Sequence, residues 1–472
     1  MIARLDAEDT PENTYTEMLQ NRLADWVAEF MKSDVIFPIV DYDTAWDSDA
    51  ESKAVMNVAS YGLPAFNKNW DGIDMTSDDA LSHIAFSGVA AHRLTTTDSP
   101  AFAHDASKEV QALAKSLNAR YVVDFDFMKD LPVRAGFEAY GACLFLSAAG
   151  TPIGIHWWDK VVKKGDKDWE HAKFVWRSSA VVGVTLVDHL VGTHLMMSNF
   201  VAIAQKENLS PDHPIRRFLK PFSFRAFAIN RAASINLVDY NGILHHTVAL
   251  TWEGLKSGFK FAYGHHRYFT VPQFFQLHGI DPKDEKHSFA SDLLDFNAIV
   301  VSLVGPYVDL YYPTPESMFS DRELMKFWDG VHTLPDSKFP QLVTTKELKD
   351  MLVSFVVAVS AIHHHVGNVA EYLNDARVAS GKIRPGKDIG DVQASFQAIL
   401  ICLLTGRKQP KLIGDWAHIL LKDDKYEKTS KLFSSFNTDL SALSDKILSL
   451  NKKRLYPSEV FDPKQLLSSV SI

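Results

Sequence analysis

The sequence predicts a mainly α fold, built around two central buried helices, with a small β-hairpin or sheet region beside them. Two segments are apolar on every side, from about Ser178 to Gln205 and from about Thr345 to Leu373. A helix without a polar face belongs in the interior of a large protein. The β region is predicted between Cys143 and Trp158, where turn residues at 148–152 divide two apolar runs.

Shorter patterns predict the other elements. A helix is expected over Glu12 to Lys32, and another helix leads from Leu113 into a strand at Arg120 to Phe125. From Asp168 onward the pattern is helix after helix. Neither a repeat nor a low-complexity linker marks a boundary, so residues 1–472 are expected to form a single domain.

Composition excludes several classes of protein. Hydrophobic residues make up 46% of the chain and charged residues 23%, which is the balance of a folded globular protein. The formal net charge of -9 argues against a nucleic-acid partner, because no basic surplus neutralises phosphates. Cys143 and Cys402 are too few for a disulfide framework, and the acidic N-terminus lacks a secretory signal. We therefore expect a cytoplasmic protein.

One segment requires a test for membrane insertion. Met351 to Ala370 contains no Asp, Glu, Lys or Arg and reaches the roughly 20 residues that span a bilayer. It also contains three consecutive histidines, a glycine and an asparagine, which lipid disfavours. The segment is therefore expected to be a buried core helix, with no transmembrane segment in the chain and only transient contact with membranes.

The first apolar helix carries His189 and His194. A spacing of five does not place two side chains on one face of a regular α-helix, where neighbours are three or four residues apart. A π-bulge, a distortion often found at functional sites, brings them to one face. Without a bulge they are two unrelated core histidines, although burying two imidazoles together without partners is costly.

The second apolar helix contains a histidine cluster at residues 360–368. His364 and Asn368 are four residues apart and can point at one spot, whereas His363 and His365 face elsewhere. Together with the first helix, three neutral imidazoles and one amide suit a divalent transition metal such as iron. The three histidines alone would also suit zinc.

At these residues the sequence resembles the lipoxygenase family. The resemblance covers about Arg120 to Ile472 and includes the chain end, which is similar to the family's Ser-Ile-x-Ile ending. The matching segments are Trp169-Glu-His-Ala-Lys173, His213-Pro214, Leu219-Lys-Pro221, Ile229-Asn230, Asn241-Gly-Ile243, Asp309-Leu-Tyr-Tyr312, Phe327-Trp328 and Ser468-Ser-Val-Ser-Ile472.

The resemblance implies a lipoxygenase-type helical bundle and a catalytic domain alone, without the family's N-terminal PLAT β-sandwich. Residues 1–119 are expected to be helical instead. The resemblance also implies one non-haem iron per chain, with manganese as the alternative. The implied ligands are His189, His194, His364, Asn368 and the Ile472 carboxylate.

The third histidine is open to two interpretations, because one residue is inserted relative to the family pattern. His363 aligns with the residues before the cluster, which would place Gly367 at the asparagine position. His364 aligns with Asn368 and Tyr372 after the cluster. We prefer His364, because it alone has a metal-binding partner four residues on.

The family resemblance implies a dioxygenase that inserts O2 into the 1,4-pentadiene of a polyunsaturated fatty acid and forms a hydroperoxide. Metal-bound hydroxide is the implied hydrogen acceptor, and no side chain is assigned a catalytic role. Ala233, Leu237, Thr185 and Glu371 are the expected substrate-side residues. Thr185 and Glu371 stand where the family has glutamine, which favours two alternatives: a diverged enzyme acting on a hydroperoxide, or one acting on a smaller specialised substrate. A non-catalytic lipid-binding protein is the third hypothesis.

Overall fold

The computed structural model describes residues 73–240, 242–332, 339–373, 375–390, 410–458 and 461–470, except the side chains of Asn236, Ala370 and Glu371. Several predictions therefore concern parts outside the described residues. They are the helix over Glu12 to Lys32, the environment of Cys402, the side chain of Glu371 and the carboxylate of Ile472.

An antiparallel five-stranded sheet, in the order β1-β2-β3-β4-β5, forms the β region. The strands are β1 Thr95–Thr96, β2 Tyr121–Asp124, β3 Ala142–Leu146, β4 Pro152–Trp157 and β5 Lys160–Val162. The predicted hairpin is β3 and β4, and the predicted strand after Arg120 is β2. Gly150 has a φ of +85° in the hairpin turn, a conformation that glycine adopts without strain.

The rest of the described chain is mainly helical, which confirms the predicted fold class. In chain order the helices are α1 Asp78–Phe86, α2 Pro100–Asp105, α3 Lys108–Ser116, α4 Trp169–Asn208, α5 Pro214–Leu219, α6 Ala226–Ala232, α7 Ile243–Thr247, α8 Trp252–His265, α9 Val271–His278, α10 Ser288–Tyr311, α11 Pro315–Phe319, α12 Arg322–His332, α13 Thr345–Gly367, α14 Ala370–Leu373 and α15 Tyr426–Asn451. A π-helical segment, Ala233–Val238, continues α6.

Helices α4 and α13 form the centre of the molecule, as predicted, and both contain π-helical segments. The segment in α4 is Val184–Ser198, and the segment in α13 is Ala358–Ile362. Helix α8 packs closely on α4: a Cβ atom on Gly258 would lie only 2.5 Å from Cδ2 of Leu186. The two segments contact each other across the interface of α4 and α13.

A capping box starts α13. The side-chain hydroxyl of Thr344 accepts a hydrogen bond from the backbone N–H of Lys346, and Glu347 accepts one from the backbone N–H of Thr344 at 2.6 Å. These contacts satisfy amide groups that the first helical turn leaves without partners. The helix ends at Gly367, and Asn368 (φ -80°, ψ 37°) leaves the helical conformation.

By length and composition, three described helices could cross a membrane: α4, α10 and α13. In α4 and α13, 72% of the most apolar window is buried inside the protein; in α10 the share is 44%. Burial in the core therefore accounts for the apolar sequence of the two central helices.

Candidate metal centre

The π-helical segment of α4 places His189 and His194 on one face. In a π-helix each backbone N–H bonds to the carbonyl oxygen five residues earlier, so residues five apart lie on the same side of the helix. Thr193 supports this geometry, since its Oγ1 donates a 2.9 Å hydrogen bond to the backbone oxygen of Asp188. The Nε2 atoms of the two histidines are 3.2 Å apart. The predicted distortion is present, although it extends over the whole of Val184–Ser198 rather than one turn.

The third histidine at this point is His363. Its Nε2 lies 3.0 Å from the Nε2 of His194. One ring nitrogen from each of His189, His194 and His363 lies within 4.8 Å of the other two. His194 and His363 are 4% and 5% exposed and His189 is half-buried, so protein surrounds most of the cluster.

The prediction of His364 as the third histidine is not matched by this geometry, which groups His363 with His189 and His194. The prediction rested on a regular helical turn joining His364 to Asn368, but the helix ends at Gly367, so that turn does not exist. The segment Ala358–Ile362 also changes the rotation of the helix just before the cluster. His364 instead lies near the charged groups of Lys411 and Asp462, in the C-terminal part of the chain, and interacts with them electrostatically.

Gly367, and not Asn368, occupies the position four residues after His363. A Cβ atom on Gly367 would lie 3.2 Å from Nε2 of His189, so the glycine backbone packs directly against a candidate ligand. This is the alternative alignment that the sequence left open. The Nδ2 of Asn368 is buried without a hydrogen-bond partner among the described residues, and its role as a ligand stays a prediction.

Burial keeps the three imidazoles neutral. It lowers the pKa of His194 to about 4, although the hydrogen bond from His194 to Asn230 acts in the opposite direction. Burial also holds the pKa of His189 and of His363 well below the ordinary histidine value, and the neighbouring histidines add to this effect. Neutral imidazole is the form of histidine that binds a metal ion.

Asn230 determines which nitrogen of His194 carries the proton. The Nδ2 of Asn230 donates to the backbone oxygen of His194 at 3.0 Å, which leaves Oδ1 of Asn230 facing Nδ1 of His194, also at 3.0 Å. Nδ1 must therefore carry hydrogen, and Nε2 presents a lone pair to the cluster. The sequence showed Asn230 only as part of a family motif, because its partner lies 36 residues away.

The donor set fits a metal ion. The Nε2 lone pair of His194 faces Nε2 atoms of both His189 and His363, and one lone pair cannot accept a hydrogen bond from two donors at once. A divalent cation resolves this conflict by accepting all three lone pairs. Three converging neutral imidazoles suit iron, manganese or zinc.

Among the described contacts, none joins the expected substrate-side residues to the three histidines. The Oγ1 of Thr185 donates back to the oxygen of Val181 in its own helix, at 2.7 Å. Ala233 and Leu237 are half-buried in the segment Ala233–Val238. Glu371 keeps its predicted role untested, because its side chain lies outside the described residues.

The predicted carboxylate ligand of Ile472 also lies outside the described residues. The chain is described to Val470, which is fully buried like Ser469 before it. The Oγ of Ser469 donates a 2.7 Å hydrogen bond to the backbone oxygen of Phe224. The segment leading to Ile472 therefore runs through the interior, and the ligand assignment stays a prediction.

The chain is similar to known proteins of one family. The family model described as Lipoxygenase matches residues 157–376, which include all three histidines of the cluster. Lipoxygenase 2, chloroplastic, from Tanacetum cinerariifolium is 26% identical over 276 residues, which are 50% of this chain and 30% of that protein. Linoleate 9S-lipoxygenase 1 from Phaseolus vulgaris is 25% identical over 57% of this chain and 36% of its own length. The matches thus span about a third of each relative.

Solved structures show the same fold over nearly the whole chain. A LOX variant in complex with arachidonate has a TM-score of 0.76 at 18% identity, covering 99% of this chain and 76% of that one. Coral 8R-lipoxygenase has a TM-score of 0.72 at 19% identity, covering 91% of this chain and 71% of its own.

Proposed function

Because the chain belongs to the lipoxygenase family, we propose that it is a non-haem iron dioxygenase. The proposed reaction adds O2 to the 1,4-pentadiene of a polyunsaturated fatty acid and gives a hydroperoxide. The observation that carries the proposal is the convergence of His189, His194 and His363 on one buried point. Overall, one O2 is inserted into one C–H bond to give a C–O–O–H group, so no separate reductant is needed.

Iron bound to the three histidines would supply the one-electron oxidation that removes a hydrogen atom from the carbon between two cis double bonds. The chain's own residues prepare the site for the ion. Asn230 holds the proton of His194 on Nδ1, and burial keeps all three rings neutral.

Names of related proteins support the substrate class. Several curated relatives are linoleate lipoxygenases by name, among them those from Phaseolus vulgaris and Solanum tuberosum. One structure of the same fold holds arachidonate. A long polyunsaturated fatty acid is therefore the proposed substrate, with its chain length left to the experiment below.

The test measures metal content and product formation on the full chain. Iron-loaded protein is mixed with linoleate or arachidonate, and oxygen uptake and conjugated-diene absorbance are followed. We expect both signals, their loss after chelation, and their loss in the variant His363→Ala. The matched variant His364→Ala should retain them. Iron-loaded protein that yields no product from either fatty acid would contradict the dioxygenase proposal.

The second candidate is an enzyme of this fold that converts a fatty-acid hydroperoxide. Gly367 favours it, because the position four residues after His363 offers no side-chain donor to the metal. A change in ligand number alters the redox properties of a metal site. Consumption of a hydroperoxide without oxygen uptake, under the same conditions, would favour this candidate over the first.

A further inference from the structure

A short 3-10 turn, Ala91–Arg93, lies against the helix that carries His189. The guanidinium of Arg93 forms two parallel hydrogen bonds to the carboxylate of Asp188, from Nε to Oδ2 at 2.7 Å and from Nη2 to Oδ1 at 2.9 Å. Asp188 directly precedes His189. Such a two-point contact constrains direction as well as distance, so it fixes the position of the carboxylate.

The Arg93 side chain is itself held in place. Its guanidinium lies over the rings of Phe125 and Phe127, 5.2 Å and 5.4 Å from their centroids. Arg93 and Asp188 are 19% and 20% exposed, so the pair is largely shielded from water. In such surroundings, removing one charge leaves the other without compensation.

The preceding residue, His92, reaches both central helices. Its Nε2 lies 2.9 Å from Oδ2 of Asp188 on α4. Its ring also meets the ring of His365 on α13 edge to face, with centroids 5.3 Å apart and planes at 90°. His365 follows His363 by two residues, and its other face stacks on Phe289 of α10 at 4.1 Å.

We propose that the Ala91–Arg93 turn positions the two halves of the metal centre relative to each other. Arg93 and Asp188 are positioning residues for His189, and His92 and His365 are positioning residues for the helix that presents His363. The inference rests on the proposed metal site. It goes beyond that site because none of these four side chains belongs to the cluster of three histidines.

A metal site tolerates displacements of its ligands of only about 0.5 Å. Asp188 and His189 are neighbours in one helix, so a movement of Asp188 moves the His189 backbone with it. His92 of the turn touches a side chain on each helix, Asp188 on α4 and His365 on α13. A residue that contacts both helices adds to their direct packing in holding the two sets of ligands at a fixed spacing.

A second buried ion pair provides a matched control. Asp292 of α10 accepts hydrogen bonds from Arg454, at 2.7 Å from Nη1 and 2.5 Å from Nη2, and is 1% exposed. It has the same chemistry as the Arg93–Asp188 pair, but it joins α10 to the segment after α15. Its loss should lower stability without changing the metal ligands.

The experiment titrates Co²⁺ alone into the metal-free full chain and follows the visible absorption bands of the bound ion, without substrate. We expect the wild type to bind Co²⁺. Asp188→Asn and Arg93→Gln should bind it about 10-fold or more weakly, with shifted bands. Arg93→Lys keeps the charge but loses the two-point contact, so its binding should be intermediate. Asp292→Asn should melt at lower temperature but keep the wild-type bands and an affinity within about 2-fold, because no metal-ligand contact changes.

Each contrary result has a distinct meaning. A wild type that does not bind Co²⁺ contradicts the proposed metal centre itself. Binding and bands unchanged in Asp188→Asn and Arg93→Gln overturn the positioning role while leaving the metal centre intact. An equal loss of Co²⁺ in Asp292→Asn also overturns it, because stability alone would then explain the effect. If Asp188→Asn does not fold, Arg93→Lys decides the question by the same criteria.

Discussion

Asn230 and His194 exchange two hydrogen bonds of 3.0 Å each, one between side chains and one from the asparagine amide to the histidine backbone. The pair fixes both the orientation of the imidazole and the nitrogen that carries its proton. His194 thereby offers its Nε2 lone pair to the space between α4 and α13.

Asn230→Ala should weaken metal binding by about 10-fold to 100-fold, because the hydrogen bond that orients a metal-binding histidine is lost. The buried Nδ1 of His194 also loses its acceptor, at a cost of about 1–3 kcal/mol in the free energy of unfolding. Metal titration and thermal melting measure the two effects. The control is Asn437→Ala, which removes another asparagine side chain with two hydrogen bonds, both of them to the backbone of Gly414. Equal metal loss in both variants would contradict the role of Asn230.

His363→Ala should abolish stoichiometric metal binding, whereas His364→Ala should leave it intact. The reason is geometric: of these two residues, it is His363 whose Nε2 lies 3.0 Å from the Nε2 of His194. Elemental analysis of the two purified variants checks the prediction. Metal retained in His363→Ala and lost in His364→Ala would restore the alternative assignment.

Gly367→Ala should lower metal affinity without lowering the stability of the protein. The new Cβ atom would lie 3.2 Å from Nε2 of His189 and would displace that ring, so metal affinity should fall. Replacing a helical glycine by alanine otherwise stabilises a protein by about 0.5–1 kcal/mol. Gly264→Ala in α8 is the control, since its Cβ atom would meet nothing within 4 Å. Unchanged metal affinity in Gly367→Ala would show that His189 can move freely.

Stability of the metal-free protein should fall as pH decreases, partly because of His83. Burial lowers the pKa of His83 to about 4, although Asp79 acts against that shift. The unfolded chain binds this proton near pH 6.5 and the folded chain only near pH 4, so the contribution to stability is complete above pH 6.5 and is lost as pH falls toward 4.

The variant His83→Gln isolates this contribution. Urea unfolding at two pH values measures the free energy of unfolding of variant and wild type. Between pH 6 and pH 5 the wild type should lose about 1 kcal/mol more than the variant. Equal losses in the two proteins would show that His83 is not protonated differently in the folded and unfolded chains.

A short extension after Ile472 tests the predicted carboxylate ligand. Adding two residues moves the terminal charge away from the position assigned to it, so metal content should fall. The same tag placed before Met1 is the control and should leave metal content unchanged. A C-terminally extended protein with full metal content would exclude the Ile472 carboxylate as a ligand.

Much of the architecture follows from the sequence, for local physical reasons. Apolar residues on every side of two long segments placed α4 and α13 in the core, and turn residues at 148–152 placed the hairpin of β3 and β4. The spacing of five between His189 and His194 fits a π-helical distortion, which the sequence left open beside two unrelated core histidines. Each of these patterns depends on neighbours along the chain, so the linear sequence contains it.

The identity of the third histidine was decided by the tertiary structure. Three consecutive imidazoles on one helix point in directions about 100° apart, and any of them satisfies a residue pattern. The segment Ala358–Ile362 sets the rotation, and the end of the helix at Gly367 removes the turn that would have joined His364 to Asn368. A shift in helical rotation does not change the spacing of residues along the sequence, so the sequence does not reveal it.

The partners that orient the ligands were likewise visible only in three dimensions. Asn230 lies 36 residues from His194, and Arg93 lies 95 residues from Asp188. The sequence determined that two histidine-bearing helices would be buried together, because burial follows from local apolar composition. Which ring nitrogens meet, and what holds them there, depends on packing between distant segments, and that is decided only when the chain folds.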